Sequence, residues 1–143
     1  MAFAQNTNPE FIKQPQNGKL QLLNANAAGT FVTLYTAGAS GSKVSSITAA
    51  SSDTIAHDLQ IAITNGGTTY LLGTVAVAIG AGNTSGVPST NLLSATNFPG
   101  LPLDSDGNPF ILLVFGDTLQ INPVVVVTSP LKVNIVAASV GDF

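Results

Sequence analysis

The sequence lacks cysteine, tryptophan and arginine, and it has a single histidine. Without cysteine, the chain forms no disulfides, no thiolate nucleophile and no cysteine-based zinc site. Its only basic residues besides the histidine are four scattered lysines, which do not form the cluster that binds a phosphate backbone or an anionic membrane. We therefore expect binding to neither nucleic acid nor membranes. The lysines are Lys13, Lys19, Lys43 and Lys132.

Charge of either sign is also scarce. Charged residues make up 8% of the 143 residues, against about 25% in a typical soluble protein. Residues 59–103 contain no Asp, Glu, Lys, Arg or His. A folded monomer of this size exposes roughly 6,900 Å², which leaves about one charge per 600 Å². Because the cores of protein interfaces are depleted of charge in the same way, we expect other protein to cover much of this surface.

Long apolar runs are missing as well, although hydrophobic residues reach 45%. No run is long enough to span a bilayer, and the first residues lack the basic and apolar regions of a signal peptide. The composition is sufficient for one folded domain with a core. We expect a soluble protein that is made in the cytoplasm.

From residue 19 onward, short β-prone segments alternate with turns rich in Gly, Asn and Pro. The strongest hairpin signal is "NGG" at residues 65–67, between the alternating segments "HDLQIAIT" and "TTYLLGTVAVAI". Eight or nine strands with almost no helix predict an all-β fold, an antiparallel β-sandwich or jelly roll over residues 19–143. One short helical turn over "NLLSA", capped by Ser89 or Thr90, is the only candidate helix. The predicted strands cover residues 19–25, 30–37, 43–51, 57–64, 68–79, 110–115, 118–121, 124–128 and 131–139.

Residues 1–18, "MAFAQNTNPEFIKQPQNG", differ from the rest. They are rich in Gln, Asn and Pro, and Pro9 and Pro15 discourage regular structure. This composition predicts an extended N-terminal arm with Phe3, Phe11 and Ile12 as its apolar anchors. The anchors would contact either a neighbouring subunit or the arm's own domain, and the sequence leaves both open.

Catalysis is not expected. His57 stands beside Asp58, with Ser51 and Ser52 nearby, but adjacent strand residues point to opposite faces. Asp58 therefore cannot orient the His57 ring as a Ser-His-Asp set requires. A polar residue at the start of a strand is the favoured interpretation.

Two further motifs fail as ligand sites. "DSDGNP" alternates Asp104, Asp106 and Asn108 as a calcium loop does, but lacks its glycine and glutamate positions. It predicts a turn, with a weak structural cation on Asp104 and Asp106 left open. "GAGNTSG" resembles a phosphate loop, but neither the lysine nor the helix follows. We expect no cofactor and no metal site.

Residues 90–121 read "TNLLSATNFPGLPLDSDGNPFILLVFGDTLQI", and the chain closes with "VNIVAASVGDF" at residues 133–143. Together these segments resemble a family of small structural proteins from the virions of tailed bacteriophages. The likeness extends loosely over residues 20–143, without the arm. The chain departs from the family in ending on Phe143, where tyrosine is expected, and in its more hydrophobic "NPVVVVTSP". The matching residues are Asn91, Leu92, Leu93, Asn97, Pro99, Gly100, Leu101, Leu103, Asp104, Asp106, Gly107, Asn108, Pro109, Phe110, Gly141, Asp142 and Phe143.

The resemblance implies a capsid decoration (cement) protein on the exterior of a phage head, bound to the major capsid protein and assembled as a homotrimer. Alternatives are another virion part, such as a head-fibre base or tail component, and a sugar- or receptor-binding module. Sugar binding usually needs exposed aromatic side chains, and the only tyrosines, Tyr35 and Tyr70, lie mid-strand. The expected partner contacts come from the arm and from the loop at residues 80–103. They are Phe3, Phe11, Ile12, Val87, Leu92, Leu93 and Phe98.

Overall fold

The computed structural model describes residues 13–143, and in that part of the chain the regular elements are all β-strands. Nine strands form two antiparallel sheets, which confirms the predicted all-β sandwich. The strands are β1 (Gln14–Leu22), β2 (Val32–Thr36), β3 (Ser42–Ser51), β4 (His57–Asn65), β5 (Thr68–Val77), β6 (Thr90–Asn91), β7 (Ile111–Leu113), β8 (Thr118–Pro123) and β9 (Val133–Asp142).

The strand order is that of a jelly roll. The first sheet runs β1-β9-β3-β6, with β7 also paired to β3, and the second runs β2-β8-β4-β5. If β6 and β7 count as one interrupted strand, the first strand pairs with the last, the second with the last but one, and so on inward to the β4–β5 hairpin. This rolled pairing of two four-stranded sheets defines the fold.

Alternation along the strands builds one core between the sheets. In β4, Leu59 and Ile61 are fully buried, and Ile61 pairs with Ile121 of β8. They belong to the same cluster as Ile47 and Ile135 from β3 and β9 of the opposite sheet. Each such side chain contributes about 1.5–3 kcal/mol by leaving water. The core therefore fixes which face of each strand points outward.

The β4–β5 hairpin forms where "NGG" predicts it. Asn65 pairs with Thr68, so Gly66 and Gly67 form a two-residue turn. Their φ angles are +58° and +80°, a conformation that glycine adopts without strain. We call the end of the sandwich that carries this turn the hairpin end.

The boundary of the arm lies earlier than predicted. β1 begins at Gln14, so five residues assigned to the arm belong to the sandwich, where Gln14 pairs with Asp142 and Pro15 with Gly141. Pro15 fits because β1 is an edge strand, where one side of the backbone needs no partner in the sheet. Residues 1–12, with the predicted anchors Phe3, Phe11 and Ile12, lie outside the described residues.

The strand predicted at residues 124–128 is wrong. This segment is irregular, and its backbone bonds to groups outside a sheet ladder. The Val124 N–H donates to the Asp58 carbonyl at 3.1 Å, and the Thr128 N–H donates to the Asp53 carboxylate at 2.8 Å. Val127 is buried, whereas Val124 and Val125 are exposed.

The helical turn predicted over "NLLSA" is also wrong. Thr90 and Asn91 pair with β3 as strand β6, and no helix follows in the described chain. A single turn closes where the Phe98 N–H donates to the Ser94 carbonyl at 2.9 Å. The Leu92 carbonyl, which lies before this turn, accepts a hydrogen bond from the Asn97 side-chain amide at 3.1 Å.

Candidate interaction surfaces

Three of the four contact residues predicted in the 80–103 loop lie in the sandwich core. Leu92, Leu93 and Phe98 are 0%, 3% and 5% exposed and belong to the core, and Val87 is half-buried against it. Leu92, Leu93 and Phe98 therefore offer little or no side-chain surface to a partner, whereas the contact predicted for Val87 stays a prediction. The loop is apolar because its side chains complete the sandwich core.

Phe98 is held by a close approach to β5. A Cβ atom added to Gly73 would lie 2.7 Å from Phe98 Cε1, closer than real side chains come. The glycine thus provides the space for the ring. Spacing along the sequence does not show this contact, because 25 residues separate the two positions.

The β5 edge, which we define as residues Thr68–Val77, is the first exposed apolar surface. Among the described residues, this strand pairs only with β4 and forms the margin of its sheet. Tyr70 and Leu71 are 59% and 56% exposed. All ten residues are uncharged. An edge strand exposes main-chain donors and acceptors that another strand can pair with.

A second apolar surface, which we call the end patch, lies at the hairpin end and consists of Leu112, Val114, Phe115 and Phe143. Phe115 is 73% exposed, and Leu112 and Val114 are more than half exposed. With Ser40 and Gly41 these side chains line a groove of about 250 Å³.

A buried carboxylate builds the turn that displays Phe115. Asp117 accepts a hydrogen bond from the Val114 N–H at 2.9 Å through Oδ2, and one from the Asn65 side-chain amide at 2.7 Å through Oδ1. Gly116, which lies in the turn between Val114 and Asp117, has a φ of +93°. The turn is therefore locked to the β4–β5 hairpin, and Phe115 projects outward from a fixed backbone.

A polar cluster fixes the other side of the end patch. Ser42 Oγ and Tyr35 OH each donate to Asp142 Oδ1 at 2.5 Å, and the Phe143 N–H donates to the Gly41 carbonyl at 3.1 Å. Burial, together with the hydrogen bond to Asp142, raises the pKa of Tyr35 above its ordinary value. The neutral phenol thus remains a donor, and the chain end that carries Phe143 stays in place.

His57 is paired with a carboxylate other than its neighbour in sequence. Its Nε2 lies 2.7 Å from Asp53 Oδ2, and neither side chain is exposed. Asp58 points to solvent, as the strand alternation predicts. The signal for this pair was the "DTIAH" spacing, which places Asp53 one tight loop before His57.

Asp53 organises the loop before β4. Burial raises the pKa of its carboxyl, but hydrogen bonds from the Thr128 N–H, from His57 and from the Thr54 N–H outweigh burial and hold the pKa well below its usual range. The charged carboxylate therefore joins residues 53–57 to residue 128. With both partners sealed from solvent, the arrangement is suited to holding structure.

Asp104 forms the predicted turn. Its Oδ1 accepts the N–H groups of Asp106 and Asn108, both at 2.9 Å, and Gly107 has a φ of +81°. The carboxylate thus bonds to its own loop. Within residues 13–143, no three His, Asp or Glu side chains are grouped so that they could hold a metal ion.

Across residues 13–143, no helix has the length and apolar character needed to cross a bilayer.

In comparisons with known proteins, no family model, no curated protein and no solved structure matches this chain.

Proposed function

We propose that the protein is a structural subunit of a virion, a capsid decoration protein that forms a homotrimer and binds the major capsid protein of a tailed bacteriophage head. It acts through protein–protein contacts and catalyses no reaction. The observation that carries this proposal is the uncharged β5 edge with its exposed Tyr70 and Leu71.

Edge strands of monomeric proteins are usually blunted by lysine, proline or short length, because an open edge pairs with other chains. The β5 edge has ten residues and carries neither lysine nor proline. In strand addition, an extended segment of another chain forms main-chain hydrogen bonds along such an edge and buries apolar side chains beside it. This supports an assembly role.

The low charge of the chain supports the same role, because the buried cores of subunit interfaces are depleted of charged residues. The resemblance of residues 20–143 to small phage virion proteins adds the specific context. The jelly roll does not choose between candidate functions, since viral capsid proteins and lectins both use it.

Two matched lysine substitutions test the contact. Leu71→Lys places a charge on the β5 edge, and Val125→Lys places one on a site of similar exposure, 51%, at the opposite end of the sandwich. Heads of a tailed phage that lack their decoration protein are sedimented with each variant. We expect the wild type and Val125→Lys to co-sediment and Leu71→Lys to remain in the supernatant. If the wild type does not bind, or if Leu71→Lys binds equally well, the proposal is refuted.

A second candidate function is sugar binding, which the exposed Tyr70 ring favours. Exposed aromatic rings stack on sugar rings, and sequence reasoning placed this tyrosine mid-strand without showing its exposure. A glycan array probed with the wild type and with Tyr70→Ala tests the idea. A wild-type signal that Tyr70→Ala loses supports sugar binding; the decoration role predicts no signal.

A further inference from the structure

The β4–β5 hairpin turns at the dipeptide Asn65-Gly66, in which a side-chain amide and the next backbone nitrogen can react with each other. We propose that Asn65 is a site of spontaneous deamidation, and that its conversion to aspartate or isoaspartate releases the turn that displays Phe115. The reaction does not involve the β5 edge, so this proposal and the proposed function can fail separately.

The reaction needs only water besides the chain itself, and asparagine is among the thermolabile residues of proteins. The Gly66 backbone nitrogen attacks Cγ of Asn65, the Cγ–Nδ2 bond breaks, and Nδ2 leaves as ammonia with the proton that the Gly66 nitrogen loses. Water then opens the resulting cyclic imide. Opening at Cγ gives aspartate, and opening at the main-chain carbonyl carbon gives isoaspartate, whose backbone runs through the former side chain.

The turn leaves the reacting groups accessible. Asn65, Gly66 and Gly67 are all exposed to solvent. The Gly66 N–H lies between the two paired strands and donates no hydrogen bond among residues 13–143. No atom of the described residues lies within 4 Å of a Cβ atom built on Gly66. The attacking nitrogen is therefore neither held in a sheet ladder nor shielded by a neighbouring side chain.

The same dipeptide occurs a second time, at a place where the backbone is held. Asn17-Gly18 lies inside β1, and Gly18 pairs with Ala137 of β9. Gly18 is buried, and a Cβ atom built on it would lie 2.6 Å from the Leu34 carbonyl oxygen. Because the two sites share the same reacting groups, a difference between their rates reports the effect of the hairpin turn.

Asp117 restrains the reaction and links it to the end patch. Its Oδ1 accepts the Asn65 side-chain amide at 2.7 Å, which restricts rotation of the side chain whose Cγ must approach the Gly66 nitrogen. Its Oδ2 accepts the Val114 N–H at 2.9 Å and closes the turn around Phe115. After deamidation, a carboxylate replaces the amide donor and faces the buried carboxylate of Asp117. Two like charges in this position repel, so the bond that ties the turn to the hairpin is lost.

Ageing the full-length protein at mildly alkaline pH, followed by peptide mapping with mass spectrometry, tests the site. Conversion is measured by the mass change from amide to acid and by enzymatic methylation of isoaspartate. We expect Asn65 to convert several-fold faster than Asn17 in the folded protein, and the two rates to converge in the urea-unfolded chain. An Asn65 that stays intact, or that converts no faster than Asn17 in the folded protein, would overturn the proposal.

Two alanine substitutions in the turn test the attacking nitrogen. Gly66→Ala puts a methyl group beside this nitrogen and should slow the conversion of Asn65 several-fold. Gly67→Ala is the matched control, because both glycines have positive φ and open space around a Cβ atom. It should convert at nearly the wild-type rate. Equal rates in the two variants would contradict the proposal.

Asn65→Asp reproduces one of the two products and tests the link to the end patch. The Val114 amide proton should exchange with solvent several-fold faster in this variant than in the wild type, because Asp117 no longer holds the turn against the hairpin. Asn17→Asp is the matched control and should leave the exchange of Val114 unchanged. Wild-type exchange at Val114 in the Asn65→Asp variant would refute the release of the turn.

Discussion

The contact between Gly73 and Phe98 gives a prediction whose magnitude follows from the structure. Phe98 is nearly fully buried, so Phe98→Ala should lower the free energy of unfolding by about 3–4 kcal/mol. Gly73→Ala would place a Cβ atom 2.7 Å from the ring, which costs about 2 kcal/mol. Alanine also restricts the unfolded chain more than glycine does, and this offsets about 0.5 kcal/mol of the destabilisation.

The double variant, Gly73→Ala with Phe98→Ala, tests whether the effects of the two substitutions on the free energy of unfolding simply add. In the Phe98→Ala background the ring is gone, so Gly73→Ala should be close to neutral. The two changes should therefore couple by about 2 kcal/mol. Gly100→Ala is the matched control, because nothing lies within 4 Å of a Cβ atom at Gly100, and it should change stability by less than about 0.5 kcal/mol.

Urea unfolding followed by far-ultraviolet circular dichroism is the suitable assay, because the chain has no tryptophan and only two tyrosines. The midpoint and slope of each urea unfolding curve together give the free energy of unfolding. Two results would refute the reasoning: a loss of less than about 1 kcal/mol for Phe98→Ala, or the same cost for Gly73→Ala in both backgrounds. Either would contradict the packing of the Phe98 ring against Gly73.

Three further predictions concern the polar clusters and the β5 edge. Asp53→Ala leaves His57 without its buried partner and should cost about 3 kcal/mol in urea unfolding. The lowered pKa of Asp53 stabilises the fold above the unfolded-state value of 3.8. This contribution is lost as pH falls below that value, so the stability of the wild type should fall between pH 5 and pH 3. Gly38→Ala should destabilise the protein by about 1–3 kcal/mol, because its Cβ atom would lie 2.7 Å from Asp142 Cγ; a neutral result in thermal unfolding would contradict that contact. Leu71→Lys should leave stability unchanged within about 0.5 kcal/mol while it abolishes self-association measured by light scattering, and a large loss of stability would show that Leu71 is a core residue.

Local signals predicted the elements that depend on local chemistry. The β4–β5 hairpin followed from alternating residues around "NGG", because the turn needs two residues with positive φ and glycine supplies them. The Asp104 turn followed in the same way from a side chain that bonds to its own backbone.

Features that depend on distant packing were not predicted. Phe98 and Leu92 were expected at a partner interface, but both are buried in the sandwich core, and the space for the Phe98 ring is provided by the distant Gly73. The end patch was likewise missed. Its outward Phe115 depends on Asp117 bonding to Asn65, which is 52 residues away.

Sequence reasoning about His57 was correct in part. Alternation correctly excluded Asp58 as its partner, because adjacent strand residues face opposite sides. The partner it has, Asp53, lies on a loop whose path is set by the Thr128 N–H from another part of the chain.

Sedimentation velocity of the purified protein, from micromolar to submillimolar concentration, tests the central claim most directly. If the charge-poor surface exists to be covered by sister subunits, the wild type should sediment as a trimer and Leu71→Lys as a monomer. A wild-type protein that remains monomeric and freely soluble at the highest concentration would contradict the account.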